Sequence, residues 1–201
     1  MPKIIIIGDS FAADWSCQTN LLGWPNLLSQ KYNVTNIAQA GVSEYKIYKQ
    51  VLTTVLDDYD IVIISHTNPY RVHTKKHPLH NDQLHNHCDL IYTDISHHSN
   101  KLKNVFNKSL SSAVGYFDYH FDTEYYETMY KLLRNEIDRL LSGKIVIELN
   151  FFEDCKGFAN PNTLDFCQLF ADNRGNVNHL NTDANLVVFK EIDRLISQKY
   201  K

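Results

Sequence analysis

The strongest constraint on the fold is a run of four isoleucines near the start of the chain, Ile4–Ile7, followed directly by Gly8-Asp9-Ser10. A continuous apolar run of this length suits a strand that is buried on both faces, as in the centre of a parallel sheet. Open α/β sheets bind their ligands beyond the carboxyl ends of the strands. Ser10 stands at such an end and is therefore a candidate nucleophile, the alternative being a serine that caps the following helix.

Two further apolar runs alternate with helical patterns along the first third of the chain. The patterns predict a helix over 14–30, a strand over 34–39, a helix capped by Ser43, and a strand over 60–65. Strand, helix, strand, helix and strand in this order predict a doubly wound parallel sheet.

The alternation of predicted strands and helices ends at an irregular polar insert that covers approximately residues 69–99. A long irregular segment inside a compact domain is typically a functional lid or a binding loop. Beyond it, the spacing of apolar residues predicts helices over 101–114 and 123–141, strands over 144–149 and 164–170, and a last helix over 183–198. We expect one domain over residues 1–201.

Composition and charge exclude several classes of protein. The net charge is −3 and no dense run of Lys or Arg occurs, so we expect neither nucleic acid nor an anionic membrane as a partner. The first apolar run is too short for a signal peptide, and no later run is long enough to span a membrane. The four cysteines form no CxxC pair, which predicts reduced thiols and a cytoplasmic protein.

Four short motifs occur in a defined order along nearly the whole chain. They are Gly8-Asp9-Ser10, Asn36-Ile37-Ala38-Gln39-Ala40-Gly41, Ile61-Val62-Ile63-Ile64-Ser65-His66-Thr67-Asn68 and Asn178-His179-Leu180-Asn181. Together they resemble the sequence blocks of the SGNH (GDSL-type) hydrolases. The resemblance implies a three-layer α/β/α fold with a flavodoxin-like parallel sheet of about five strands.

The same resemblance implies a serine-hydrolase site. Ser10 would be the nucleophile, and His179 would act first as general base and then as general acid. The negative charge on the substrate oxygen would be stabilised by an oxyanion hole, formed by the backbone N–H groups of Ser10 and Gly41 and the side-chain amide of Asn68.

The chain departs from the family at two positions. Family members usually carry an aspartate three residues before the histidine, where this chain has Asn176. The imidazole would then be supported either by Asn176 itself or by another group, such as Asp172 or a backbone carbonyl. Two residues before Asn68, where glycine is common, stands His66, which suggests an altered substrate pocket. We therefore assign substrate contacts to Asp9, His66 and Tyr70.

Nine of the ten histidines lie between His66 and His120, most of them in the insert. Three interpretations remain open: a polar lid that faces the substrate, a solvated loop, or a metal site that uses His85, His87 and nearby carboxylates. No strong metal-binding spacing such as HExxH is present, so we assign neither a metal nor a cofactor. The aromatic segment 116–121 fits either a stacking wall for a sugar or core packing.

The sequence favours a serine esterase that acts on a small acyl ester, such as an O-acetylated carbohydrate, through an acyl-enzyme. A carbohydrate O-acyltransferase would use the same residues. A catalytically silent SGNH domain that binds a glycan or a protein is the alternative from another class, and a metal-dependent hydrolase built on the insert is more remote. The expected partner is a small-molecule or carbohydrate ester, and the sequence gives no indication of the oligomeric state.

Overall fold

A computed structural model describes residues 1–80, 82–101, 104 and 106–199 of the chain. Its centre is a five-stranded sheet in which all neighbouring strands are parallel, in the order β2-β1-β3-β4-β5. The strands are β1 (Lys3–Gly8), β2 (Asn33–Asn36), β3 (Ile61–Ser65), β4 (Ile145–Asn150) and β5 (Leu164–Asp165). This is the flavodoxin-like order of a doubly wound sheet, so the predicted fold class is confirmed.

Helices cover both faces of the sheet. Their bounds are α1 (Trp24–Ser29), α2 (Glu44–Thr53), α3 (Tyr92–Ser99), α4 (Lys108–Tyr119), α5 (Thr123–Leu140), α6 (Cys167–Asp172) and α7 (Thr182–Lys199). A short strand, β6 (Arg174–Val177), lies outside the sheet and forms antiparallel bridges to Leu180. No helix in the described ranges is long and apolar enough to cross a membrane.

The isoleucine run of β1 explains the three layers. Ile4 and Ile6 pack in one core with residues of α1 and α7, whereas Ile5 and Ile7 pack in a second core with residues of α2 and α5. All four side chains are at most 1% exposed. Because successive residues of a strand point to opposite faces, a continuous apolar run requires a covering layer on each side.

Three predicted elements differ in the structure. The helix predicted over 14–30 is confined to Trp24–Ser29, and the residues before it hold turns and irregular backbone rather than a helix. The strand predicted over 164–170 pairs only at Leu164–Asp165, where β4 ends, and continues as α6. The second strand ends at Asn36 rather than residue 39.

The insert is more regular than its sequence indicates, since α3 occupies Tyr92–Ser99 within it. The helix predicted over 101–114 begins only at Lys108. Its prediction rested partly on Leu102 and Val105, which lie outside the described residues. The remaining helices that follow Ser43, Asp122 and Asn181 agree with the predictions to within two residues at their ends.

Candidate active site

Ser10 lies directly beyond the carboxyl end of β1, in the middle of the sheet. The preceding turn requires a glycine at position 8, where φ is +146° and an added Cβ would lie 2.5 Å from the carbonyl oxygen of Ser65. The side chain of Ser10 is 4% exposed. The central strands therefore place a nearly buried hydroxyl at the edge where such sheets bind ligands.

His179 reaches this serine from the loop before α7. Its Nε2 atom lies 2.8 Å from Oγ of Ser10. The loop is tight, because Asn178 and His179 both have positive φ values, 51° and 60°. This distance brings together the two residues that the sequence predicts as nucleophile and base.

Asn178 connects the two loops that carry this pair. Its side-chain amide donates to the backbone carbonyls of Ser10, at 3.2 Å, and Ala13, at 2.8 Å. It is completely buried. No sequence pattern predicted a role for Asn178. Asparagine tolerates the left-handed conformation, so an asparagine directly before the histidine is the feature that could have indicated this role.

The structure shows no carboxylate among the described residues that supports His179 in the way the usual aspartate of a Ser-His-Asp triad would. Asn176 is exposed and makes no hydrogen bond to His179, and Asp172 accepts instead from the amide of Gln168. Among the described residues, Nδ1 of His179 has no hydrogen-bond partner. Neither support proposed from the sequence, Asp172 nor a backbone carbonyl, is therefore present.

Aromatic rings hold the imidazole of His179 in place. Its ring centroid lies 4.8 Å from that of Phe11, 5.5 Å from that of Trp15 and 6.5 Å from that of Phe170. Trp15 also donates from Nε1 to the carbonyl of Ser10, at 2.9 Å. Packing thus orients a ring that a carboxylate orients in a complete triad.

Burial, followed by the positive charge of Arg71 and the neighbouring His85, lowers the pKa of His179 to about 4. The imidazole is consequently neutral at physiological pH, as a general base must be. It is also a weak base, because no carboxylate stabilises its protonated form.

Gly41 lies in the cavity that holds the pair. It adopts φ +72°, and a Cβ at this position would lie 2.3 Å from Sγ of Cys88. No hydrogen bond from the backbone N–H of Ser10 or Gly41 is found among the described residues. Neither N–H group is thus already used, and both remain the predicted oxyanion donors.

Asn68 is directed elsewhere. Its amide donates to Oδ2 of Asp154, at 2.7 Å, and its carbonyl oxygen accepts from the backbone of Tyr70. Asn68 and Tyr70 line a separate cavity of about 500 Å³, walled by Tyr92, Phe117 and Phe121. Asn68 is not among the residues that line the cavity of Ser10, and its role as a third oxyanion donor stays a prediction.

Two of the three predicted substrate contacts, Asp9 and His66, are buried side chains. Asp9 is completely buried, and its Oδ1 accepts from the backbone of Phe11 and from the hydroxyl of Ser65, both at 3.0 Å. His66 is completely buried as well, with Nδ1 2.7 Å from Glu44. Neither side chain lines the cavity that holds Ser10, so their contact with a substrate stays a prediction.

Tyr70 is partly buried, and its hydroxyl donates to Glu127 at 2.8 Å. This contact, together with burial, raises the pKa of the phenol to about 12. Tyr70 can contact a ligand in its own cavity, but it does not line the one that holds Ser10.

A cavity of about 210 Å³ opens in front of Ser10 and His179, and we call it the Ser10 cavity. Its lining consists of Ser10, Gly41, Arg71, His80, His85, Cys88, Asp89, Ile91, Asp94 and His179. Seven of these ten residues belong to the insert. The insert thus forms the wall of the cavity, in agreement with the interpretation as a polar lid.

Part of the insert also resembles a metal site. One ligand atom each from His77, His80 and Asp94 lie within 4.8 Å of one another. However, Nδ1 of His77 accepts from the backbone N–H groups of Leu79, at 3.2 Å, and His80, at 3.1 Å. The proton of a neutral His77 is then on Nε2, which lies 3.6 Å from Asp94.

A metal ion at Nε2 would require this proton to move to Nδ1, and both backbone N–H groups would lose their acceptor. His80 meanwhile contacts Asp94 at 2.9 Å, which raises the pKa of His80. Nε2 of His77 is buried without a hydrogen-bond partner among the described residues, but freeing it for a metal would cost two backbone hydrogen bonds, so this donor set fits a metal poorly.

Comparison with models of known protein families finds no match for this chain. A search of curated proteins finds no significantly similar sequence.

Proposed function

We propose that this chain is a serine esterase that hydrolyses a small acyl ester, with an O-acetylated carbohydrate as the proposed class of substrate. The observation that carries the proposal is the distance of 2.8 Å between Nε2 of His179 and Oγ of Ser10. A hydroxyl is a poor nucleophile until a base removes its proton, and this geometry permits that transfer.

In the proposed reaction, Oγ of Ser10 attacks the ester carbonyl while its proton passes to Nε2 of His179. The tetrahedral intermediate collapses to an acyl-serine, and His179 returns the proton to the leaving alcohol. Water then attacks the acyl-serine, giving its proton to His179, and Ser10 is regenerated with release of the acid.

The oxyanion of each tetrahedral intermediate would accept hydrogen bonds from the backbone N–H groups of Ser10 and Gly41. Loss of one such donor typically lowers kcat by about 10²–10³-fold. The guanidinium of Arg71 in the same wall adds a favourable field, since it is positive where negative charge develops.

The size of the Ser10 cavity supports a small acyl group. Its volume of about 210 Å³ lies below the range of about 300–1,000 Å³ that holds drug-sized ligands. The insert contributes five charged or ionisable side chains to the wall, Arg71, His80, His85, Asp89 and Asp94, which disfavours a long hydrocarbon chain.

One observation favours a second candidate, a catalytically silent domain that binds a glycan or a protein. His179 has no carboxylate at Nδ1, and in a serine protease the corresponding change from aspartate to asparagine lowers turnover by about 10⁴-fold. The contact between His179 and Ser10 favours the esterase, because a binding site does not need a base at a serine.

The reducing cytoplasm remains the proposed location. Cys17, Cys88, Cys155 and Cys167 are all unpaired, and three of them are buried. Unpaired buried thiols are typical of proteins from reducing compartments.

The test combines a fluorophosphonate probe with a series of chromogenic esters of increasing acyl length. We expect the wild type to be labelled and to prefer short acyl groups, and Ser10→Ala to lose labelling and activity. Ser112→Ala, an exposed serine of α4, is the matched control. Labelling that persists in Ser10→Ala, or a wild type that is neither labelled nor active, would refute the esterase.

A further inference from the structure

We propose that the Ser10 cavity binds the anionic group of its substrate, a carboxylate or a phosphate, and that Arg71 is the residue that binds it. The inference rests on the proposed esterase, because it specifies which esters this site accepts. Arginine suits both groups, since its planar guanidinium can donate two parallel hydrogen bonds to two oxygens.

The first reason is that Arg71 has no ionic partner. In the described ranges, no carboxylate oxygen lies within 4.0 Å of its guanidinium. Its hydrogen bond runs from Nη1 to the carbonyl of Gly41 at 3.2 Å, and its Nε is buried without a partner among the described residues. A partly buried cation is costly unless an opposite charge compensates it, so a ligand anion would complete this site.

The second reason is that the other ionisable groups of the wall already have hydrogen-bonded or ionic partners. Asp94 contacts His80 at 2.9 Å, and Asp89 contacts Lys46 at 2.7 Å. Asp89 also accepts from the backbone N–H groups of Ser43 and Thr74.

The remaining titratable groups of the wall add no competing charge. His85 contacts Asp82 at 2.9 Å. Cys88 stays a neutral thiol, because burial raises its pKa to about 11. Arg71 is thus the uncompensated charge of the Ser10 cavity within the described part of the chain.

The third reason is the effect of Arg71 on the reacting groups. Its charge is the second cause, after burial, of the lowered pKa of His179, and it also acts on the pKa of Asp9. The other groups that face His179 are the ring of His85 and the aromatic side chains already described. An anion bound to Arg71 would offset its charge, and His179 would become a stronger base when such a substrate is present.

The test compares three aryl esters that differ only at the end of the acyl chain. These are the ester of butyric acid, which is neutral, the monoester of succinic acid, which carries a carboxylate, and the ester of 3-phosphonopropionic acid, which carries a phosphonate. The quantity measured is kcat/KM for each anionic ester divided by kcat/KM for the neutral one.

We expect the ratio to exceed ten for at least one anionic ester in the wild type, and the two esters to show which anion fits. Arg71→Gln should lower this ratio by about ten- to a hundredfold, the range of a lost charge-assisted pair. Arg71→Lys should retain part of this ratio, because lysine keeps the positive charge but cannot donate two parallel hydrogen bonds. Arg139→Gln, an exposed arginine of α5, should leave it unchanged. A ratio below one in the wild type, or one unaffected by Arg71→Gln, would overturn the proposal.

A binding measurement on a protein that lacks the nucleophile tests the anion site independently of the proposed esterase activity. In Ser10→Ala protein, titration calorimetry with monomethyl succinate and with methylphosphonate should show saturable binding. Adding Arg71→Gln should weaken it at least tenfold, whereas adding Arg139→Gln should not. Thermal unfolding shows whether each variant is folded. If Arg71→Gln does not fold, Arg71→Lys takes its place in the binding measurement. Absence of saturable binding for both anions would overturn the anion site whatever the esterase assay shows.

Discussion

Nε2 of His179 lies 2.8 Å from Oγ of Ser10, although 169 positions separate them in the chain. The opposite nitrogen of the same ring has no hydrogen-bond partner among the described residues. The site therefore has the contact that the proposed esterase needs to activate its serine, but within the described residues it lacks the carboxylate that normally supports the base. Four predictions follow from how the protein arranges the residues around this pair.

An aspartate at position 176, in place of Asn176, should change kcat little. Asn176 is exposed and does not contact His179, although both residues line one cavity beside Trp15. A carboxylate at 176 would be solvated and would reach the imidazole only through water, so its effect is strongly screened. We expect Asn176→Asp to change kcat by less than tenfold on any ester that the wild type hydrolyses. Asp172→Ala should be nearly neutral, and a gain above tenfold in Asn176→Asp would contradict the prediction.

The aromatic support of the base can be tested at Trp15. Trp15→Phe keeps a ring against His179 but removes the hydrogen bond to the carbonyl of Ser10. One such bond is worth about 1 kcal/mol, so kcat should fall by about fivefold. Trp15→Leu loses the ring as well and should lower kcat further. Equal values for the two variants, measured on one ester, would show that the ring does not position the base.

Gly41 should tolerate no side chain. A Cβ at this residue would lie 2.3 Å from Sγ of Cys88, and the left-handed backbone adds about 1–2 kcal/mol of strain. We expect Gly41→Ala to lower both the unfolding temperature and kcat/KM.

A double-mutant cycle with Cys88 separates the steric clash of the added Cβ from the strain of the left-handed backbone. Cys88→Ala removes the sulfur and should recover part of the loss in the Gly41→Ala background, because only the strain then remains. Additive effects of the two substitutions would show that the two residues are not in contact.

The buried carboxyl of Asp9 should make stability depend on pH. Burial raises its pKa from 3.8 to about 7. The folded state then binds the proton more tightly than the unfolded state, and the free energy of unfolding falls as pH rises from about 4 to about 7. Asp9→Asn does not titrate, and its amide oxygen can keep both hydrogen bonds that Oδ1 accepts.

The quantity to measure is the difference in unfolding temperature between Asp9→Asn and the wild type. This difference should shift in favour of Asp9→Asn between pH 4 and pH 7 and stay constant above that. His77 and His179, whose pKa values are both lowered to about 4, titrate in both proteins and cancel in the difference. A difference that does not vary with pH would show an ordinary carboxyl at position 9.

Local patterns in the sequence determined the framework of the fold. Four consecutive isoleucines favour a strand covered on both faces, and the alternation of strands and helices then predicts parallel pairing. The positions of Gly8 and Gly41 also follow from local chemistry, since both occupy backbone conformations that side chains disfavour. The pairing of Ser10 with His179 was predicted from the order of four motifs, because periodicity alone does not relate residues so far apart.

Only the tertiary structure decided which polar side chains reach the cavity. Asn68, His66 and Tyr70 lie near a strand end, as predicted, but hydrogen bonds to Asp154, Glu44 and Glu127 direct them elsewhere. Arg71, three residues after Asn68, had no signal of its own and lines the Ser10 cavity. Hydrophobic periodicity reports which face of an element is buried, whereas the direction of a polar side chain depends on partners distant in sequence. For this reason the sequence determined where the site lies, and packing of the insert determined what it contains.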